Sequence, residues 1–159
     1  MPTALIIMIV VIVIAVVIAG TKSFNTSKRL AEDGKIAPRQ GAFYEEAELF
    51  TTTATYEGIC EKIKSVDLSD TKASIQYDFE GQKTIFFKSN GGWNAALDWI
   101  GEDDGKNRFR FYFPAWRVSR NGIVNTMSMN VTLTAIEKAI LALDPTATVE
   151  SRKLQTKRQ

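Results

Sequence analysis

The chain has 159 residues, no histidine and a single cysteine, Cys60, so it lacks the commonest general base and metal ligand and cannot form an intramolecular disulfide. Nine Phe, three Trp and four Tyr exclude a disordered tail and point to a packed domain. Net charge is only +2 but unevenly spread: residues 22–39 hold five bases against two acids, residues 40–104 five against thirteen, and residues 105–159 ten against three.

The first twenty-one residues carry no charged side chain, and in the apolar run over residues 4–20 twelve of seventeen are Leu, Ile or Val. Seventeen residues at about 1.5 Å of rise give a helix of roughly 25 Å. Usable membrane spans begin at about 17 residues. The twelve aliphatic side chains contribute roughly −4 to −7 kcal/mol on an insertion scale. The run therefore predicts a single transmembrane helix, a signal-anchor, over residues 1–21. A basic juxtamembrane linker over 22–41, a globular α+β domain over 42–154 and a basic tail over 155–159 follow it. Lys22, Lys28, Arg29, Lys35 and Arg39 come after the span and no Lys or Arg precedes it. The positive-inside rule then places a single-pass protein in the cell membrane with its C-terminal domain in the cytoplasm. The rival reading is an extracytoplasmic head, at the cell surface or secreted after cleavage near Val17-Ile18-Ala19. A hydrophobic N-terminal helix before an α+β head resembles the layout of type IV pilin subunits. Residues 1–20 lack the short basic leader of that family and the glutamate five residues into its mature helix.

Within the globular part, residues 53–66 read as a helix, with Ile59, Ile63 and Val66 on one face and Tyr56 behind them. Residues 72–79 alternate as a strand, Glu80-Gly81-Gln82 is a tight turn, and residues 83–88 complete a hairpin. Trp93, Ala96, Leu97 and Ile100 have helical spacing and predict a helix over 93–100. Residues 108–113 are a strand with Phe109, Phe111 and Phe113 on one side and Arg108, Arg110 and Tyr112 on the other, bent or placed at an edge by Pro114. Asn121-Gly122 predicts a small hairpin over 118–124. Residues 131–143 form a second helix with Thr134 and Glu137 as a capping box, ended by Asp144-Pro145, before a last strand over 148–154. The fold class is thus α+β: a transmembrane helix, then a small antiparallel sheet packed with two or three helices.

The two helices echo one another. Thr55, Ile59, Ile63, Asp67 and Thr71 match Thr132, Ile136, Ile140, Asp144 and Thr148 at a constant offset of 77 residues. The two Asp residues are expected to bind backbone N–H groups in the exit turns; a paired-carboxylate active site is the sharper alternative.

No catalytic, cofactor or metal motif stands out. Asn90-Gly91-Gly92 before a helix could cradle a phosphate, but it lacks the glycine spacing and lysine of the known loops and reads as a turn. Glu102-Asp103-Asp104 reads as a solvated acidic turn, and Cys60 as a structural thiol. The unusual stretch is Lys106, Arg108, Arg110, Arg117 and Arg120 interleaved with Phe109, Phe111, Tyr112, Phe113 and Trp116. With Lys22, Lys28 and Arg29 it is the candidate contact for anionic lipid or a partner; the plainer reading is an amphipathic strand with its arginines solvated or paired to the acidic middle. The expectation is a membrane-anchored, non-enzymatic interaction domain. Its partners are the lipid bilayer and an unidentified protein, with no nucleic acid and no cofactor.

Overall fold

The structure, a computed structural model, describes residue 12 and residues 26–39, 41–120 and 122–154. The chain divides into two compact units, Met1–Ile36 and Ala37–Gln159.

In the first unit residues 26–32 are helical (α1). The helix ends in a Schellman turn: Gly34 N–H donates to Ala31 C=O at 2.9 Å, Lys35 N–H donates to Leu30 C=O at 2.7 Å, and Gly34 takes φ +65°. The transmembrane helix expected over residues 1–21 is not supported. Among the described residues no helix is long and apolar enough to cross a membrane. The longest, of 18 residues, is interrupted by Ser128, Asn130, Glu137 and Lys138, whereas a span needs about 17–25 predominantly apolar residues. Apart from Ile12, residues 1–25 lie outside the described residues. The signal-anchor, the single-pass membrane-anchored role and the cell-membrane location rested on that helix and are not supported either. What the structure supports is a small α+β domain.

The second unit runs β1 (Glu46–Thr52), α2 (Tyr56–Lys64), β2 (Ala73–Gln76), β3 (Thr84–Ser89), β4 (Trp93–Asp103), β5 (Lys106–Trp116), β6 (Val118–Ser119), β7 (Gly122–Ile123), α3 (Thr126–Leu143) and β8 (Thr148–Lys153). Six strands form one antiparallel sheet in the order β2-β3-β4-β5-β1-β8, and β6 and β7 pair separately. Asn121, between them in sequence, lies outside the described residues.

Alternation along β5 decides which face is buried. Phe109, Phe111 and Phe113 are at most 2% exposed and join Phe50, Ile85, Phe87 and Leu97 from neighbouring strands. Ile59 and Ile63 of α2 and Met129, Leu133, Ile136 and Ile140 of α3 close the core over them. Phe111 meets Phe113 edge-on at 5.2 Å, and Trp93 meets Phe113 at 5.8 Å. Such pairs add about 0.5–1.5 kcal/mol beyond the area they bury.

Residues 93–100 are strand, not helix. Trp93, Ala95 and Leu97 are buried at period two, and both neighbouring strands pair with this segment. Two irregularities gave it a helical look. Ala96, beside Ala95, is also buried because it is small and lies opposite Tyr112 on the other face. Ile100 is the extra residue of a bulge between Trp99 and Gly101. Pro114 sits at the other register shift of this pair, where a missing N–H is tolerated. With no helix after it, the Asn90-Gly91-Gly92 turn offers no helix N-terminus to a phosphate.

The helix α3 starts earlier than expected, at Thr126 after Asn125 in left-handed conformation (φ +62°). Thr134 and Glu137 therefore lie in mid-helix and form no capping box. Asp144 ends α3, and its echo in Asp67 is structural. Asp67 Oδ1 accepts from Ser69 N and Oγ at 3.0 and 2.6 Å; Asp144 Oδ1 accepts from Thr146 N and Oγ1 at 2.9 and 2.6 Å. The two carboxylates build like turns at separate places and do not form a pair. The echo stops at the other end, because Thr55 caps α2 while Thr132 lies inside α3.

Truncating Phe111 to Ala should remove about 3–5 kcal/mol from the unfolding free energy, whereas truncating Arg108 should cost under about 1 kcal/mol. Denaturant titration of the two variants checks the assignment of faces.

Candidate functional site

The face of the sheet opposite α2 and α3 carries the residues that the core rejects. Arg108, Arg110 and Tyr112 of β5 lie beside Leu49 and Thr51 of β1, with Glu150 and Arg152 of β8 beyond. Asp98 of β4 lies on the other side of Arg110.

Arg110 Nη2 donates to Asp98 Oδ2 at 2.8 Å, and its guanidinium stands 4.9 Å from the Tyr112 ring centroid. Arg108 meets Asp103 at 3.7 Å, and Arg152 meets Glu150 at 3.1 Å. Asp103 comes from the β4–β5 hairpin, whose turn residues Asp104 and Gly105 both have positive φ, 49° and 71°. That Asp-Gly pair is the type I′ signature, so the acidic turn is a tight loop that presents an ion-pair partner. Among the described residues no three His, Cys, Asp or Glu side chains converge to hold a metal ion. A shallow cavity of about 360 Å³ lies at this end of the face, between Leu49, Thr51, Lys106, Arg108 and Arg152.

The structure brings Lys106, Arg108 and Arg110 together on one strand. Arg117 and Arg120 lie beyond its end and are exposed. Arg117 packs its side chain over Gly92 (φ +89°), where a built Cβ would come within 3.1 Å of Arg117 Cβ. Lys28 and Arg29 belong to the other unit, where both are exposed and Lys28 pairs with Glu32 at 3.8 Å. Lys22 lies outside the described residues.

A second cluster of charge, centred on the buried Glu48, was not announced by the sequence. Arg39 Nη1 donates to Glu48 Oε1 at 2.8 Å and to Glu137 Oε1 at 2.9 Å, and Nη2 donates to Glu137 Oε2. Nε reaches Asn130 Oδ1 at 3.4 Å. Asn130 Nδ2 donates to Ala37 C=O at 2.8 Å, and Ala37 N–H donates to Thr134 Oγ1 at 3.1 Å. Residues 130, 134 and 137 share one face of α3, so the segment from Ala37 to Arg39 is strapped along that helix. The only sequence signal is the spacing of Thr134 and Glu137, which imitates a capping box.

One guanidinium between two carboxylates leaves a net negative charge, and the Glu48 side chain is only 7% exposed. Among the described residues its Oε2 is buried without a hydrogen-bond partner. Burial first, and then the Glu137 carboxylate, push the Glu48 carboxyl from its ordinary 4.5 up to about 8, against the pull of Arg39. Asp144 behaves oppositely. Oδ2 accepts from Thr52 Oγ1, Thr53 N and Thr53 Oγ1 at 2.8, 2.7 and 3.0 Å, in addition to the two Thr146 bonds. These donors, led by Thr146, hold its carboxyl well below the usual range.

Cys60 is buried on α2, and burial pushes its thiol up. The cleft beside it, about 290 Å³, includes Tyr56, Tyr77, Lys64 and Lys83. Both lysines are committed, Lys64 to Glu61 at 2.6 Å and Lys83 to Glu57 at 3.4 Å.

Comparison with known proteins finds no matching family model and no matching curated protein.

Two pH effects follow. The folded chain holds the Glu48 proton between about pH 4.5 and 8 while the unfolded chain has lost it, so this group's stabilisation is full below that window and fades as pH rises through it. Glu48→Gln should flatten the fall, a change of a few kcal/mol across the window in urea titrations at several pH values. Asp144 acts at the acid end: its stabilisation is present above its ordinary 3.8 and lost as pH falls below. Arg39→Ala takes the shared cation from the buried Glu48 and the partly buried Glu137 and should lower the unfolding free energy by about 3–5 kcal/mol, read by urea titration at pH 7.

Proposed function

We propose that this domain is a protein-binding module, without catalytic activity of its own, which engages a polypeptide partner through the sheet face opposite α2 and α3. The observation that carries this reading is the composition of that face. Arg110 stacks on Tyr112, Arg108 and Leu49 flank them, and the two helices of the unit lie on the other side. Arginine and tyrosine are the residue types that dominate binding energy at protein interfaces.

Charge balance argues against a polyanion. Arg108, Arg110 and Arg152 each have a carboxylate within 4 Å, in Asp103, Asp98 and Glu150. Nucleic-acid binding draws its affinity from cations that neutralise phosphates, and here carboxylates already do so. Arginine held in place by a neighbouring acid and still partly exposed, as Arg108 and Arg110 are, suits a protein surface of mixed charge. Catalysis has little support, because the chain has no histidine and its most perturbed carboxyl, Glu48, is turned into a strap between elements.

A photoreactive residue at Thr51 should give one discrete protein adduct in the native cell extract, lost when Arg108 and Arg110 are both replaced by Glu. The same probe at Lys62 on α2 should give none. Equal adducts from both positions, or insensitivity to the double replacement, would sink the reading.

A further inference from the structure

The geometry points to a second copy of this chain docking along β8, strand to strand, to make one continuous sheet. Among the described residues β8 is an edge strand paired only with β1, and all six of its residues are exposed. It carries no proline, and its register with β1 has no shift. A regular free edge of this kind is a template for another strand.

Hydrogen-bond parity limits how two such edges can meet. Leu154 N–H donates to Glu45 C=O at 3.1 Å, across the step that continues the β1–β8 register. Residues 148, 150 and 152 therefore turn their backbone groups toward β1, and Val149, Ser151 and Lys153 turn theirs outward. In an antiparallel pair outward residues bond only to outward residues, so a two-fold axis must pass through a residue and not between two.

Charge then selects the residue. Centred on Glu150, the pairing sets Glu150 against itself; centred on Arg152, it sets Arg152 against itself. Centred on Ser151, it sets Glu150 opposite Arg152 of the second copy, and Arg152 opposite its Glu150. Val149 faces Lys153, whose methylenes can cover it. These two side chains already pair within one copy at 3.1 Å and are 63% and 65% exposed, so the join would form an alternating ladder of four charges. Three of the large apolar residues exposed among the described residues, Leu141, Leu143 and Val149, lie in the last turn of α3 and the start of β8. That clustering marks this end of the unit as a surface to be covered.

Sedimentation equilibrium of the full chain should show a monomer–dimer equilibrium. Glu150→Arg sets like charges together and should raise the dissociation constant at least about tenfold. Adding Arg152→Glu to it reverses both partners and should restore the dimer. Ser151→Pro removes an outward N–H that β1 does not use, and should abolish pairing while circular dichroism shows the sheet intact. A chain that stays monomeric at every concentration, or one whose association survives both Glu150→Arg and Ser151→Pro, would overturn the inference.

Discussion

Alternation along β5 sorts Phe109, Phe111 and Phe113 to one side of the sheet and Arg108, Arg110 and Tyr112 to the other, and most of the molecule follows from that sorting. The phenylalanines pair with Phe50 and Leu97 on adjacent strands, so the apolar layer spans β1, β5 and β4 before any helix is added. With α2 and α3 on one side, the residues that β5 keeps out of the core lie on the other face of the sheet. Leu49 and Thr51 share that surface because the register sets them opposite Arg110 and Arg108. The candidate interface is thus the obligatory complement of the core and not a separate construction.

Polar contacts then fix where α3 lies. Its C-terminal end is tied to the end of β1 through Asp144 with Thr52 and Thr53. Its middle is tied to Arg39 and, through it, to Glu48 on β1. The two ties use the same chemical group in opposite states. Asp144 accepts five hydrogen bonds and gains by being ionised, whereas Glu48 shares one cation with Glu137, leaves an oxygen unpartnered and gains by holding a proton. The number of donors per buried carboxylate, and not burial alone, decides the direction. A packed apolar core tolerates some sliding of a helix, but buried charges with fixed partners do not.

Strands with clean alternation and helices with an uninterrupted face were legible before the structure, as β5 and α2 show. β4 was not, because a small buried Ala96 on the other face and a bulge at Ile100 together imitate a helical stripe. Local rules also misfire where a tertiary partner takes the residue. Thr134 and Glu137 have capping-box spacing but serve Ala37 and Arg39 across more than ninety residues of sequence. The exit-turn aspartates were readable because an Asx turn is closed within three residues. Apolarity alone was a weaker guide: a run such as residues 4–20 says that water is disfavoured, without saying which structure removes it from water.

The arginines of the basic stretch illustrate a further difference between charge in sequence and charge in space. Counted along the chain, residues 105–159 are strongly basic. Folded, β4 returns the acidic segment alongside β5, so that Asp98 and Asp103 lie against Arg110 and Arg108. Long-range attraction falls accordingly, while the short-range directional capacity of each guanidinium remains. Such a face discriminates by fit more than by field. The same holds at β8, where Glu150 and Arg152 cancel at a distance and yet distinguish one strand register from its neighbours. In both places paired charge is better suited to choosing a geometry than to gathering a partner from solution.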